Sequence, residues 1–124
     1  MTQALLIVAH GSRREASNQE VRQLTERVRV RAGPLYSEVA CAFLELAEPS
    51  ILEGIHNCIA NGADHLLVLP YFLSAGRHVS QDIPKILARA REIYPGVVID
   101  LAPYLGAADA IPELLLTVAE QQGC

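Results

Sequence analysis

The segment ALLIVAHGSRREASNQEVRQLTERVRVRAGP, residues 4–34, decides the fold. Its first six residues are continuously apolar, too short a run for a buried helix and the right length for a strand covered on both faces. A polar loop, His10-Gly11-Ser12-Arg13-Arg14, follows at once. Ser17 and Glu20 then stand at the S-x-x-E spacing of a capping box, which predicts that a helix opens there. Val21, Leu24 and Val28 form its apolar stripe, and Gly33-Pro34 stops it. Residues 4–34 therefore read as one strand, one loop and one amphipathic helix.

The same order recurs three more times. Short apolar runs at residues 38–44, 65–70 and 97–102 read as further strands. A second helix begins near Pro49, with the proline in its first turn, carries Ile51, Ile55, Cys58 and Ile59 inward, and ends at Asn61-Gly62. A third takes Asp82 as N-cap, buries Ile86, Leu87, Ala90 and Ile93, and stops at Pro95-Gly96. The last covers residues 111–121, with Leu114, Leu115 and Val118 as its apolar side. Four strand–helix units joined by right-handed crossovers give an α/β fold: a four-stranded parallel sheet with helices on both faces. That is a flavodoxin-like three-layer sandwich, for which we expect strand order 2-1-3-4. The 124 residues fit one domain, 1–124. Pro70-Tyr71-Phe72 and Pro103-Tyr104-Leu105 follow successive strands in similar fashion, which we read as coincidence.

The composition restricts the function. A net charge of -4 and a pI near 5.5 argue against nucleic acid as the main partner, because phosphate binding calls for a basic face. No G-x-x-x-x-G-K-[ST] loop is present, so ATP-driven chemistry by this chain is not expected. The apolar run at residues 4–9 is too short for a membrane span and lacks the basic flank of a signal peptide, so the expected location is cytoplasmic and off the membrane. Cys41, Cys58 and Cys124 are odd in number and far apart, which suggests neither a disulfide framework nor a thiolate zinc site. Cys41 and Cys58 read as core residues and Cys124 as an exposed tail thiol.

In folds of this kind ligands bind beyond the carboxyl ends of the strands. Those positions hold His10 to Arg14, then Glu45, then residues 70–78, then Tyr104-Leu105-Gly106. His10, Glu45 and His78 thus collect on one edge, and two imidazoles with one carboxylate suit a borderline divalent metal while leaving coordination positions open. A structural metal would need a fourth enclosing ligand, which the sequence does not offer. His10 taken alone is equally a turn histidine, and His78 alone reads equally as a solvated loop residue. Glu45 is the more pointed signal, since it interrupts an apolar run. His56, within the second helix, and His65, at the opposite edge, read as structural or solvated. Glu48 reads as a helix-start carboxylate. Arg13, Arg14 and Arg77 bring positive charge to the same edge and could grip substrate carboxylates. Leu44, Phe72, Leu73, Tyr104 and Leu105 either line flat apolar walls or pack beneath loops.

Three segments, HGSRREASN (residues 10–18), AFLELAEPSI (42–51) and PYFLSAGRHVSQDIP (70–84), resemble the small class II chelatases, the sirohydrochlorin cobalto- and ferrochelatases. The likeness spans essentially the whole chain. It implies a lyase-class chelatase domain that inserts a divalent metal, with cobalt expected ahead of iron and nickel, into sirohydrochlorin without nucleotide, in cobalamin or sirohaem biosynthesis. The family's metal-binding histidines fall on His10 and His78 and its motif glutamate on Glu45; we expect these three to be both metal ligands and catalytic groups. Ser12, Arg13, Arg14, Phe72, Ser74 and Arg77 are expected around the substrate. Larger members of the family resemble two fused copies of this unit with the cleft between them, which implies a homodimer with its active site between subunits. A non-catalytic metallochaperone or tetrapyrrole-binding module would use the same residues. The histidine phosphatases, whose motif places Arg before His-Gly, are excluded by Ala9.

Overall fold

The computed structural model describes residues 2–122, with the His78 side chain outside that description. Strand β1 (Gln3–Ala9) is buried from Ala4 to Ala9 because it has a strand on each side and helices above and below. It pairs in parallel with β2 (Glu38–Phe43) on one side and β3 (His65–Pro70) on the other. β4 (Val98–Leu101) pairs with β3 and completes the expected order β2-β1-β3-β4.

Alternation along β1 divides the core in two. Ala4, Leu6 and Val8 face α2 (Ile51–Ala60) and α3 (Ile83–Ile93), where Ile51, Ile55, Cys58, Ile83, Leu87 and Ala90 complete the main core. Leu5, Ile7 and Val39 point to the other face, beneath Val28 and Ala32 of α1 (Glu15–Ala32). Fully burying a Leu or Ile contributes about 1.5–3 kcal/mol, so most of the stabilisation comes from the α2–α3 side. Gly54 brings α2 close to the sheet: a Cβ there would stand 2.9 Å from the Ala42 Cβ.

The helix starts differ from the sequence reading. α1 begins at Glu15, and no Ser17–Glu20 capping box forms; the Ser17 N–H already donates to the Arg14 carbonyl at 3.0 Å, inside the first turn. The capping box is instead at α2, where Ser50 Oγ accepts from the Glu53 N–H at 3.2 Å and Glu53 Oε1 accepts from the Ser50 N–H at 3.0 Å. These bonds, from Ser50 backbone first, hold the Glu53 carboxyl below its ordinary range. Pro49 consequently lies before the cap, not in the first turn, and Glu48 is further still from the helix it was expected to start. Asp82 precedes α3 but makes no side-chain cap, because a π-helical turn, His78–Asp82, winds straight into α3 and leaves no terminus to cap. Ile93, at the end of α3, is exposed. Cys58 is buried as expected, Cys41 is half-buried, and Cys124 lies outside the described residues.

The largest departure is α4 (Ile111–Glu120). Its stripe was expected to face inward, yet Leu114, Leu115 and Val118 are 53%, 65% and 52% exposed. None of its residues is buried, and it packs chiefly on the 3₁₀ turn Leu105–Ala107. That turn is fixed by the Gly106 N–H donating to the Phe72 carbonyl at 3.0 Å, so residues 102–110 lead the helix away from the core. Among the described residues no helix is long and apolar enough to cross a membrane.

Candidate functional site

The pairing of β1 with β2 does not stop at the strand ends. The Leu44 N–H donates to the Ala9 carbonyl at 2.9 Å and the Glu45 N–H to the His10 carbonyl at 3.0 Å, so positions 10 and 45 are held side by side by backbone. The loop carrying Glu45 is closed at its base by the Phe43 N–H donating to the Pro49 carbonyl at 2.8 Å. Gly11 makes the approach sterically feasible. Its φ is +94°, and a Cβ there would lie 1.7 Å from the Glu45 carbonyl oxygen.

On this scaffold the His10 Nε2 and Glu45 Oε2 atoms are 3.2 Å apart, with the two side chains 44% and 51% exposed. An imidazole and a carboxylate therefore face solvent together at the carboxyl edge. Both are ligands for borderline divalent metals, and together they can also share or pass a proton. His78 begins the turn that leads into α3. Among the described residues no group of three or more His, Cys, Asp or Glu side chains gathers to hold a metal, and the third expected ligand is the His78 side chain, outside the description.

Two residues whose roles sequence reasoning missed fix the loops. Asn18, only 2% exposed, accepts from the Ser12 N–H at 2.9 Å and donates through Nδ2 to the Ser12 carbonyl at 2.8 Å, pinning the His10–Arg14 loop to α1. It is the last residue of the first quoted motif, but an asparagine near a helix start gives no warning of this reach. Arg22 donates to Glu15 Oε1 at 2.6 Å and to the Glu48 carbonyl at 3.1 Å, and its guanidinium carbon sits 5.1 Å from the centre of the Phe43 ring. That cation–π contact and hydrogen bond tie α1 to the Glu45 loop.

The remaining expected site residues take varied positions. Ser12 is half-buried and its hydroxyl accepts from the Arg14 N–H at 3.0 Å, shaping the loop. Arg13, Arg14, Ser74 and Arg77 are exposed at the same edge. Phe72 is half-buried against the main core, as is Leu44, whereas Leu73 is exposed. The loops after β3 and β4 abut closely: a Cβ on Gly106 would be 1.9 Å from the Leu73 carbonyl oxygen. Open cavities flank the His10–Glu45 pair. One of about 260 Å³ holds His10, Ser12, Asn18 and Tyr71; another of about 360 Å³ joins Glu45 to Asp82, Lys85 and Ile86. Lys85 adds a cation on the Glu45 side that sequence reading did not single out. His65 bonds Asp100 at 2.8 Å and His56 bonds the Tyr94 hydroxyl at 2.7 Å, both as local surface pairs away from this edge.

Comparison with known proteins bears on the chain as a whole. The family model described as CbiX matches residues 4–122. A sirohydrochlorin ferrochelatase of Bacillus subtilis (strain 168) is 34% identical over 111 residues, which are 90% of this chain and 42% of the relative. The crystal structure of a CbiX protein from Marinobacter aquaeolei VT8 superimposes with a TM-score of 0.82 at 28% identity, covering 97% of this chain and 96% of that one. The sirohydrochlorin chelatase SirB from Bacillus subtilis subspecies spizizenii, solved in complex with cobalt, gives a TM-score of 0.84 at 32% identity, covering 98% of this chain and 51% of SirB. The chain thus spans about half the length, or less, of both Bacillus relatives, and nearly all of the Marinobacter protein.

Proposed function

The chain belongs to the CbiX family, and from that premise we propose that it is a lyase-class chelatase inserting a divalent metal, cobalt first and iron or nickel after it, into sirohydrochlorin without nucleotide. The observation that carries the reading is the solvent-facing His10–Glu45 pair at 3.2 Å, held by backbone at the edge where such folds take ligands. The names of the Bacillus relatives, one a ferrochelatase and the other a chelatase solved with cobalt, support both the reaction and its tolerance of metal.

Metal is substrate in this reaction. His10 and Glu45, with His78, hold the incoming ion and present it to one face of the macrocycle. Insertion releases two protons from the pyrrole nitrogens; as ring nitrogens displace protein ligands an imidazole accepts one, and the other passes to solvent water at this exposed edge. The neighbouring Glu45 carboxylate then stabilises the imidazolium of His10. Proton transfer by a positioned group contributes about 10²–10⁴-fold. Ser12, Ser74, Arg13, Arg14 and Arg77 meet the substrate's carboxylates, with the arginines gripping them through paired hydrogen bonds, and Phe72 lies against the ring. The active assembly is a homodimer in the cytoplasm, its site completed between subunits, serving cobalamin or sirohaem synthesis.

The test is direct. Protein, sirohydrochlorin and Co(II), without nucleotide, should shift the pigment's visible absorption through many turnovers per dimer. A rate equal to the protein-free control rejects the enzyme, and a single equivalent of product per dimer indicates a carrier. His10→Ala should lower the rate at least ~100-fold with folding intact by circular dichroism; unchanged turnover removes His10 from its role.

A further inference from the structure

The cavity of about 360 Å³ beside Glu45 is lined by charged side chains of both signs, and one of them is unmatched. Glu45 meets His10 at 3.2 Å, and Asp82 has an interaction of its own. Lys85 is the one base among the described residues that line the cavity, and its ammonium makes no hydrogen bond or ion pair with any of them. Chain direction puts it there. β3 ends at Pro70 on the carboxyl edge, and α3 starts at Ile83 and runs back along the sheet, so Lys85 stands in its first turn, still at that edge. Leu44 and Ile86 line the same cavity, both half-buried and resting on the main core. The recess therefore has an apolar floor, two carboxylates already engaged and one exposed cation left over.

We infer that Lys85, above Leu44 and Ile86, is a subsite for one carboxylate arm of the macrocycle on the α3 side of the sheet. This rests on the chelatase reading and adds a substrate contact that the arginines of the edge do not supply. Arg13 and Arg14 lead into α1, which covers the opposite face of the sheet, and Arg77 lies in the loop after β3. A flat ring presented to His10 and Glu45 carries its carboxylates around its rim, so part of the rim projects over the α3 side. There it meets Glu45 and Asp82, and like charges brought together oppose binding. Lys85 offsets them. A lysine suits an arm that moves, since it offers a point charge with three rotatable donors on a flexible stem. The apolar stems of the arm and of Lys85 lie along Leu44 and Ile86. A cation on this side also fixes how the ring is turned about the axis through its centre, which ligands on that axis do not.

Binding of metal-free sirohydrochlorin to the full chain, followed by fluorescence titration, tests the subsite apart from the reaction, and Co(II) insertion is followed by visible absorption. Lys85→Gln removes an exposed ion pair and should raise the sirohydrochlorin Kd about 3–5-fold. Lys85→Glu adds a further carboxylate to the cavity and should raise it at least ~10-fold, whereas Lys85→Arg keeps the charge and should stay within about twofold of wild type. In turnover the loss should fall on the KM for sirohydrochlorin, with kcat and the KM for Co(II) changed less than about twofold. Arg89→Glu makes the same charge change at an exposed position one turn further along α3, away from the edge, and should leave the Kd at the wild-type value. Circular dichroism checks each fold, and Lys85→Gln carries the test if Lys85→Glu does not fold. A wild type that neither binds nor metallates sirohydrochlorin overturns the chelatase reading and the subsite together. A wild type that binds, with the Lys85 variants binding equally well, overturns the subsite alone. An equal loss in Arg89→Glu replaces it with a general effect of net charge. A loss confined to kcat or to the KM for Co(II) overturns it in favour of an action of Lys85 on Glu45.

Discussion

Removing the Asn18 side chain should cost more than its place at a loop–helix junction suggests. The residue is almost fully buried and makes two hydrogen bonds to one backbone unit, accepting from the Ser12 N–H and donating to the Ser12 carbonyl. Each contributes about 0.5–1.5 kcal/mol net, so their loss should lower stability by about 2 kcal/mol. For a domain of this size that corresponds to a fall in Tm of about 6–10 °C. Asn18→Ala also leaves a small void, so Asn18→Leu, which keeps most of the volume, is the sharper variant. If the hydrogen bonds matter, Leu should be nearly as damaging as Ala; if only packing matters, Leu should restore stability. Urea unfolding followed by circular dichroism, with both variants and wild type at one pH, measures the difference. An Asn18→Leu protein within about 0.5 kcal/mol of wild type would refute the pinning role.

Gly11→Ala forces a left-handed φ on a residue with a Cβ, about 1–2 kcal/mol, and drives that Cβ into the Glu45 carbonyl. On the proposed function, metal insertion should fall at least ~10-fold as His10 and Glu45 separate; normal rate and stability would show that the two loops are not clamped there. Ser50→Ala removes the capping box of α2 and should cost about 1 kcal/mol, and a urea midpoint shift equivalent to less than about 0.3 kcal/mol would argue against it. Burial first, and Glu38 second, push the Cys58 thiol up to about 12. The folded protein therefore keeps that proton where the unfolded thiol, near pKa ~8.5, loses it. Stability from this group is full below pH ~8.5 and declines as pH rises toward 12, so Cys58→Ala should flatten the alkaline fall seen in urea titrations. Equal alkaline slopes would contradict this.

Much of the architecture was legible because it is written in short-range pattern. The run at residues 4–9 reads as a doubly covered strand, and the observed strand order is the expected one, which right-handed crossovers permit without dictating. Capping was less legible, because the S-x-x-E spacing occurs at both Ser17 and Ser50, and only tertiary contacts decide which box forms. At Ser17 the helix has already begun, since its N–H donates to the Arg14 carbonyl. The outward stripe of α4 was invisible for a related reason: periodicity reports that a face is to be buried, not against which chain. At the site, edge placement identified His10 and Glu45 as neighbours, and the structure puts them in contact. Asn18 and Arg22 were missed because their work is done on backbone carbonyls and a ring distant in sequence, which residue type alone does not announce.

The amide bridges from Leu44 and Glu45 to Ala9 and His10 make the frame indifferent to the groups hung on it. The side chains at positions 10 and 45 can be exchanged for others without shifting the sheet by a residue or opening the protein's interior, because the bridges that hold them are backbone to backbone. On the proposed function, a single codon would change the group offered to the incoming ion while the chain goes on folding as before.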